Sequence, residues 1–144
     1  MKATDVLRRQ HREVLTFFKQ IDGTEDPNER RDLLDRIAEA LKAHSELEEQ
    51  VFYPAIRESG AKHAEELVLQ ALEEHHVVDL VLAEAPEIDP EAENFEAKMA
   101  VLRELVEHHV HEEEHELFKL VSKLGTDEVE ELGRRLAEQT VQVE

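Results

Sequence analysis

Cysteine is absent from the 144-residue chain, which removes disulfides, thiolate zinc sites, cysteine-ligated iron–sulfur clusters and cysteine nucleophiles at once. Any metal chemistry must therefore use imidazole and carboxylate. Basic residues are scarce: 17 Lys and Arg stand against 36 Asp and Glu, a formal charge of −19. A surface of that sign repels the phosphate backbone rather than neutralising it, so nucleic acid is not an expected partner. No apolar run approaches the ~20 residues of a membrane span, and Met1 leads directly into polar, periodic sequence rather than a leader; no membrane partner and a cytoplasmic location are expected. Aromatics make up 4% of the chain, and the four glycines and four prolines fall mostly where periodic segments end. The length is that of one domain with one core.

What the chain has in abundance is apolar residues at 3.6-residue spacing, and no stretch alternates as a half-buried strand would. The reading is all-α. A first helix runs from about Thr4 to Ile21, striped by Leu7, Val14, Leu15 and Phe18 and closed by Gly23 and Pro27. A second starts near Pro27 or Asn28 and carries Leu34, Ile37, Leu41, Val51 and Ile56 to Ser59-Gly60, with Pro54 expected to bend its last turn. A third covers roughly Ala61 to Glu84, before the prolines of APEIDP; a fourth runs from beyond Pro90 to Leu124-Gly125. Thr126 then reads as the cap of a short fifth helix with a narrow stripe of Val129, Leu132 and Leu136. Four long helices with short connectors predict an antiparallel up-down-up-down bundle over residues 1–124, with residues 125–144 lying on or across it.

Several of the nine histidines sit where leucine would otherwise belong. His11 falls between Leu7 and Val14; the series Ile37, Leu41, His44, Glu48, Val51 and Ala55 keeps core spacing, as does Leu102, Leu105, Val106, His109, Glu113, Leu117 and Leu120. An ionisable group in a bundle interior costs several kcal/mol unless it is paired or binds a metal. His-x-x-x-Glu places imidazole and carboxylate one turn apart on one face, so both reach a metal beside the helix. The motif occurs twice, at His44/Glu48 and His109/Glu113, 65 residues apart. The same offset superposes Leu34, Ile37, Leu41, Glu49 and Tyr53 on Met99, Leu102, Val106, Glu114 and Phe118. Such a helix-pair repeat predicts two metals near a pseudo-twofold axis, each half giving one lone histidine and one His/Glu pair.

In the second half the lone histidine is either His75 or His76. Helix phase favours His75, which shares its face with Val68, Leu72 and Leu82 and would carry Asp79 inward as a further ligand or a hydrogen-bond acceptor; the repeat offset instead aligns His11 with His76. His63, His108, His111 and His115 read as solvated, and Tyr53 as filling the end of the core rather than joining the site.

These residues resemble the hemerythrin-like HHE cation-binding domain family. The resemblance spans about residues 1–124 and rests on VLRRQHREV, AHSELEEQVFYPAI, LEEHHVVDLVL and VEHHVHEEEHELF in that order. It implies a four-helix bundle with a non-haem di-iron centre, two iron ions joined by an oxo or hydroxo bridge. Carried over by position, the ligands are His11, His44, Glu48, His75, His109 and Glu113, with both carboxylates bridging. The oxygen carriers of the family have His-x-x-x-His on the third helix; here Asp79 occupies the second position, which tells against simple reversible oxygen carriage.

The ligand set by itself is compatible with Fe, Mn or Zn, and affinity order alone would favour Zn over Fe. The function read from all this is binding of, or reaction with, a small oxygen or nitrogen species (O2, H2O2, NO). A peroxide-decomposing, catalase- or peroxidase-like enzyme, and an iron-sensing, storage or metal-stabilised contact module, stand as alternatives. A ferritin-like site built on Glu73/His76 and Glu112/His115 would expose Leu102, Leu105 and Leu117, and is disfavoured.

Overall fold

A computed structural model describes the backbone of residues 2–143 and the side chains of residues 2–139. The described residues form five helices and no strand, as the apolar periodicity requires. α1 is Ala3–Asp22; α2 spans 27–58; α3 is Ala64–Glu84; α4 spans 93–120; α5 is Thr126–Val143. The start of α2 is set by Asp26, whose side chain accepts the Asn28 N–H at 3.0 Å, with Pro27 at the first helical position where its missing N–H costs nothing. Gly60 and His63 both take left-handed φ values, 69° and 67°, and turn the chain from α2 into α3.

Two features of this frame were not legible in the stripe pattern. Arg30 is buried because its guanidinium is fully engaged: it donates to the carbonyls of Thr24 and Pro90 and to Glu96, and lies over the Phe95 ring. It thereby ties the α1–α2 connector to the α3–α4 connector. The fifth helix is 18 residues long rather than a short piece, and its Leu132 and Leu136 enter the same apolar cluster as Val6, Leu7, Val51 and Phe52. It therefore adds to the core.

Buried residues fall into two clusters. One gathers Leu7, Leu47, Val51, Phe52, Val68 and Leu117 with α5; the other gathers Val14, Phe18, Leu34, Ile37, Val78, Met99 and Leu102. Four buried histidines lie between them in sequence: His11 between Leu7 and Val14, His44 between Leu41 and Leu47, His75 between Ala71 and Val78, and His109 between Val106 and Leu117. A polar layer thus divides an otherwise apolar core.

Both long helices that carry a His/Glu pair break regular geometry at the same register. Glu48–Phe52 and Glu113–Leu117 are single π-helical turns, closed by Tyr53 N–H to the Glu48 carbonyl and by Phe118 N–H to the Glu113 carbonyl. Such one-residue insertions commonly mark functional sites. Pro54 is not their common cause, since Lys119 stands at its equivalent in the second repeat. What the two turns share is a buried glutamate at the first position. The insertion advances the phase by one residue, so Ile56 is fully buried while Ala55 only packs against the cluster's edge, and Tyr53 stacks one turn above Glu48.

Candidate metal centre

His11 comes from α1, His44 and Glu48 from α2, His75 from α3, and His109 and Glu113 from α4; all six side chains are buried. Two groups form. His11, His44, Glu48 and Glu113 present ligand atoms to one point, and Glu48, His75 and His109 to a neighbouring one. Within the first, His11 Nε2 lies 3.1 Å from His44 Nε2 and 3.0 Å from Glu113 Oε1, and His44 Nε2 lies 3.1 Å from Glu48 Oε1. Within the second, His75 Nε2 lies 3.1 Å from both His109 Nε2 and Glu48 Oε1, while His109 Nε2 lies 3.3 Å from Glu113 Oε2. Glu48 and Glu113 therefore touch both groups. Ligand atoms at right angles about a metal with bonds of ~2.1 Å are themselves ~3 Å apart, which is the spacing found.

Proton bookkeeping explains why these atoms face one another. Each histidine uses Nδ1–H as a donor: His11 to Glu114 Oε2 at 2.7 Å, His44 to Gln10 Oε1 at 2.6 Å, His75 to Glu49 Oε2 at 2.8 Å and His109 to Glu74 Oε1 at 2.8 Å. The acceptors are oxygens, so each ring directs Nε2 inward, where its lone pair can take a proton or a metal. Four lone pairs and two carboxylates then converge in a dry interior. Glu48 Oε2 is buried without a hydrogen-bond partner. A cluster of acceptors this dense, with the Tyr53 hydroxyl as its one side-chain donor beyond the imidazoles, is stabilised by cations, whether protons or metal ions. The donor set thus fits a His/Glu-bound metal.

The ionisation behaviour has the same cause. Burial pushes His11 down, but the adjacent Glu113 and Glu114 carboxylates outweigh it and raise the imidazole to about 9. His75 and His109 are likewise lowered by burial and raised further by carboxylates, Glu48 for the former and Glu113 and Glu48 for the latter. Burial raises the Glu48 carboxyl, yet His44 and its other neighbours hold it well below the usual range.

Tyr53 does not merely fill the core end as the sequence reading had it. Its Oη lies 2.7 Å from Glu113 Oε2, 3.2 Å from Glu48 Oε1, 3.3 Å from His75 Nε2 and 3.4 Å from His109 Nε2. The signal that could have found it was present in the repeat, where Tyr53 pairs with Phe118, but regular helical phase turns a residue five places from Glu48 away from the site; the π turn restores it. Asp79 is the opposite case. The buried stripe of α3 runs Ala64, Val68, Ala71, His75 and Val78, so the inward position after His75 is three residues on, and Asp79 is exposed. It is not a ligand candidate. His76, which the repeat offset aligns with His11, is exposed as well, while His75 is buried. His63, His108, His111 and His115 are exposed as expected, and with Glu73, His76 and His115 on the surface the ferritin-like arrangement does not assemble.

A cavity of about 20 Å³ adjoins the centre, lined by all four imidazoles, Val14, Leu41, Ser45, Val78, Val106 and Val110. One water needs roughly 10–15 Å³, so the space admits a molecule of two or three atoms and little more.

The hemerythrin HHE cation-binding domain model matches residues 2–121, across all six converging residues. The chain belongs to that family. It is 29% identical over 133 residues to a DNA nickase from Nostoc sp. (strain PCC 7120 / SAG 25.82 / UTEX 2576), a match that takes in 91% of this chain and 37% of that protein. The chain therefore spans little more than a third of that relative's length. Its fold superposes on the crystal structure of a hemerythrin HHE cation-binding domain-containing protein from Mycobacterium kansasii with a TM-score of 0.87, at 24% identity over 99% of this chain and 87% of that one. No helix among the described residues is long and apolar enough to cross a membrane.

Proposed function

We propose that this HHE domain holds two iron ions, one between His11 and His44 and one between His75 and His109, bridged by Glu48 and Glu113, and that it binds or reacts with a small oxygen or nitrogen species. The observation that carries the reading is the inward convergence of four Nε2 lone pairs and two carboxylates beside a cavity of about 20 Å³. Iron in such a site supplies open coordination positions and one-electron redox steps. The chain's own residues do the rest. Glu114, Gln10, Glu49 and Glu74 fix each imidazole's tautomer and direction, and Val14, Leu41, Val78, Val106 and Val110 exclude bulky molecules and bulk water. The helices are proposed to run up-down-up-down, which their short connectors favour.

Peroxide is favoured over reversibly carried O2 among the small species, because the third helix lacks an inward second histidine: position 79 is an exposed aspartate. Conversion of two H2O2 to O2 and two H2O balances without an outside reductant. A charge of −19 argues against nucleic acid as this domain's own partner, and a cytoplasmic setting is part of the same reading. The test is iron content and the ultraviolet–visible spectrum of protein from iron-supplemented cells, before and after peroxide. Two irons per chain with a peroxide-dependent spectral change is the expected result. One zinc, or no metal, would overturn it in favour of a metal-stabilised contact module or an empty bundle.

A further inference from the structure

The two halves of the repeat differ at one chemically decisive position. Tyr53 and Phe118 stand 65 residues apart, each directly after the π turn that begins with Glu48 or Glu113. Phe118 lies parallel to the His11 ring, with centroids 6.1 Å apart, and the Arg8 guanidinium lies over the Phe118 ring at 5.0 Å. Tyr53 packs on His75 at 5.5 Å. The hydroxyl is the only group one ring has and the other lacks.

That hydroxyl meets more acceptors than it can serve. A phenol carries one proton, and Glu113 Oε2 at 2.7 Å accounts for it. Glu48 Oε1, His75 Nε2 and His109 Nε2 lie at 3.2–3.4 Å, and with the His75 and His109 Nδ1–H groups turned to Glu49 and Glu74, each Nε2 is left to carry either a proton or a metal. Without metal, protons on the imidazoles and the phenol satisfy these contacts; with metal in their place, the phenol oxygen stands where a further donor belongs. A fifth ligand at right angles to four others on a ~2.1 Å metal lies ~3 Å from each, and the four distances bracket that value. His109 Nε2 and Glu48 Oε1, 3.8 Å apart, are then the pair that faces across the metal.

We propose that Tyr53 is a metal ligand, its phenolate oxygen completing the His75/His109 position, while Phe118 leaves the corresponding place in the His11/His44 half without a protein donor. The inference rests on the two-metal reading above. It makes the two metals chemically distinct within a nearly symmetric repeat, one with a hard anionic oxygen donor and one with an open position. A dication at this point favours the anionic form of an oxygen or thiol bound to it, and the phenol's proton leaves to solvent as the metal enters.

Because the chain has a single tyrosine, a phenolate signature has a single possible source. The full chain is loaded with iron(II) and oxidised, then measured by metal analysis, visible absorption and resonance Raman spectroscopy. The expected result is a phenolate-to-iron(III) charge-transfer band with enhanced phenolate ring modes in the wild type, and complete loss of both in Tyr53→Phe with iron still bound. Wild-type protein that binds iron without phenolate modes overturns the inference and leaves the two-metal reading standing; wild-type protein that binds no iron overturns both. The wild-type spectrum decides the matter even if Tyr53→Phe fails to fold.

Discussion

Stripping the metal and raising the pH should weaken the fold, because protons are then the only cations able to sit among the converging acceptors. His11 has its imidazole raised from 6.5 to about 9 in the folded state. A raised folded value means the protonated histidine stabilises the native state fully below the unfolded value of 6.5, and that this contribution fades as the pH climbs to about 9. At about 1.4 kcal/mol per unit, the loss is about 3 kcal/mol from His11 alone. His75 and His109 move in the same direction and add to it. Glu48, held low, contributes with the opposite sign only under acid conditions and is silent across this window. With urea slopes of about 1–3 kcal/mol per molar, the midpoint should fall by roughly 1–3 M. The assay is urea unfolding followed by circular dichroism, in steps from pH 6.5 to about 9, with chelator and with added iron. Metal-loaded protein should hold its midpoint, since the metal takes the lone pairs and competes better as protons become scarce. An apo midpoint that stays level or rises over this range refutes the reasoning; equal falls in apo and loaded protein refute the placement of the metal among these histidines.

Glu48→Ala and Glu113→Ala should each lose at least half of the bound metal in elemental analysis, whereas His76→Ala and Asp79→Ala, on exposed positions, should leave it unchanged. Glu114→Gln weakens the acceptor that orients His11, and should cost about 10–100-fold in metal affinity measured by chelator competition. Leu136→Ala, at a position with no exposed surface where α5 joins the core, should destabilise the protein by about 2–5 kcal/mol in chemical unfolding; a change under 0.5 kcal/mol would show that α5 only rests on the bundle.

The helical class and the candidate residues could be read from the chain because both are written in spacing, and the family from the four sequence blocks that resemble it. His44 and Glu48, or His109 and Glu113, lie on one helical face whatever the rest of the fold does, and an imidazole that interrupts a leucine series is conspicuous without coordinates. The choice between His75 and His76 followed the same phase, and the burial of one beside the exposure of the other agrees with it. Phase failed where it was pushed one residue too far. Asp79 sits next to the stripe, and whether four or three residues after His75 turns inward depends on how α3 is rotated against its neighbours, which here brings Val78 in.

Only the tertiary structure decided the π turns, and with them the place of Tyr53. An inserted residue leaves no mark on composition or period; it is held by what the buried glutamate meets from other helices, since Glu48 Oε1 reaches His44 in its own helix and His75 in another. The acceptors behind each imidazole were equally unreadable. Gln10, Glu49, Glu74 and Glu114 look like ordinary solvated residues of a strongly acidic chain, and all four become hydrogen-bond partners of a histidine on a different helix from their own only when the bundle closes: Gln10 of His44, Glu49 of His75, Glu74 of His109 and Glu114 of His11. Sequence determines which side chains share a face of one helix, because that is local geometry. Which atoms meet across helices, and therefore which protons and metals they can hold, is fixed by packing.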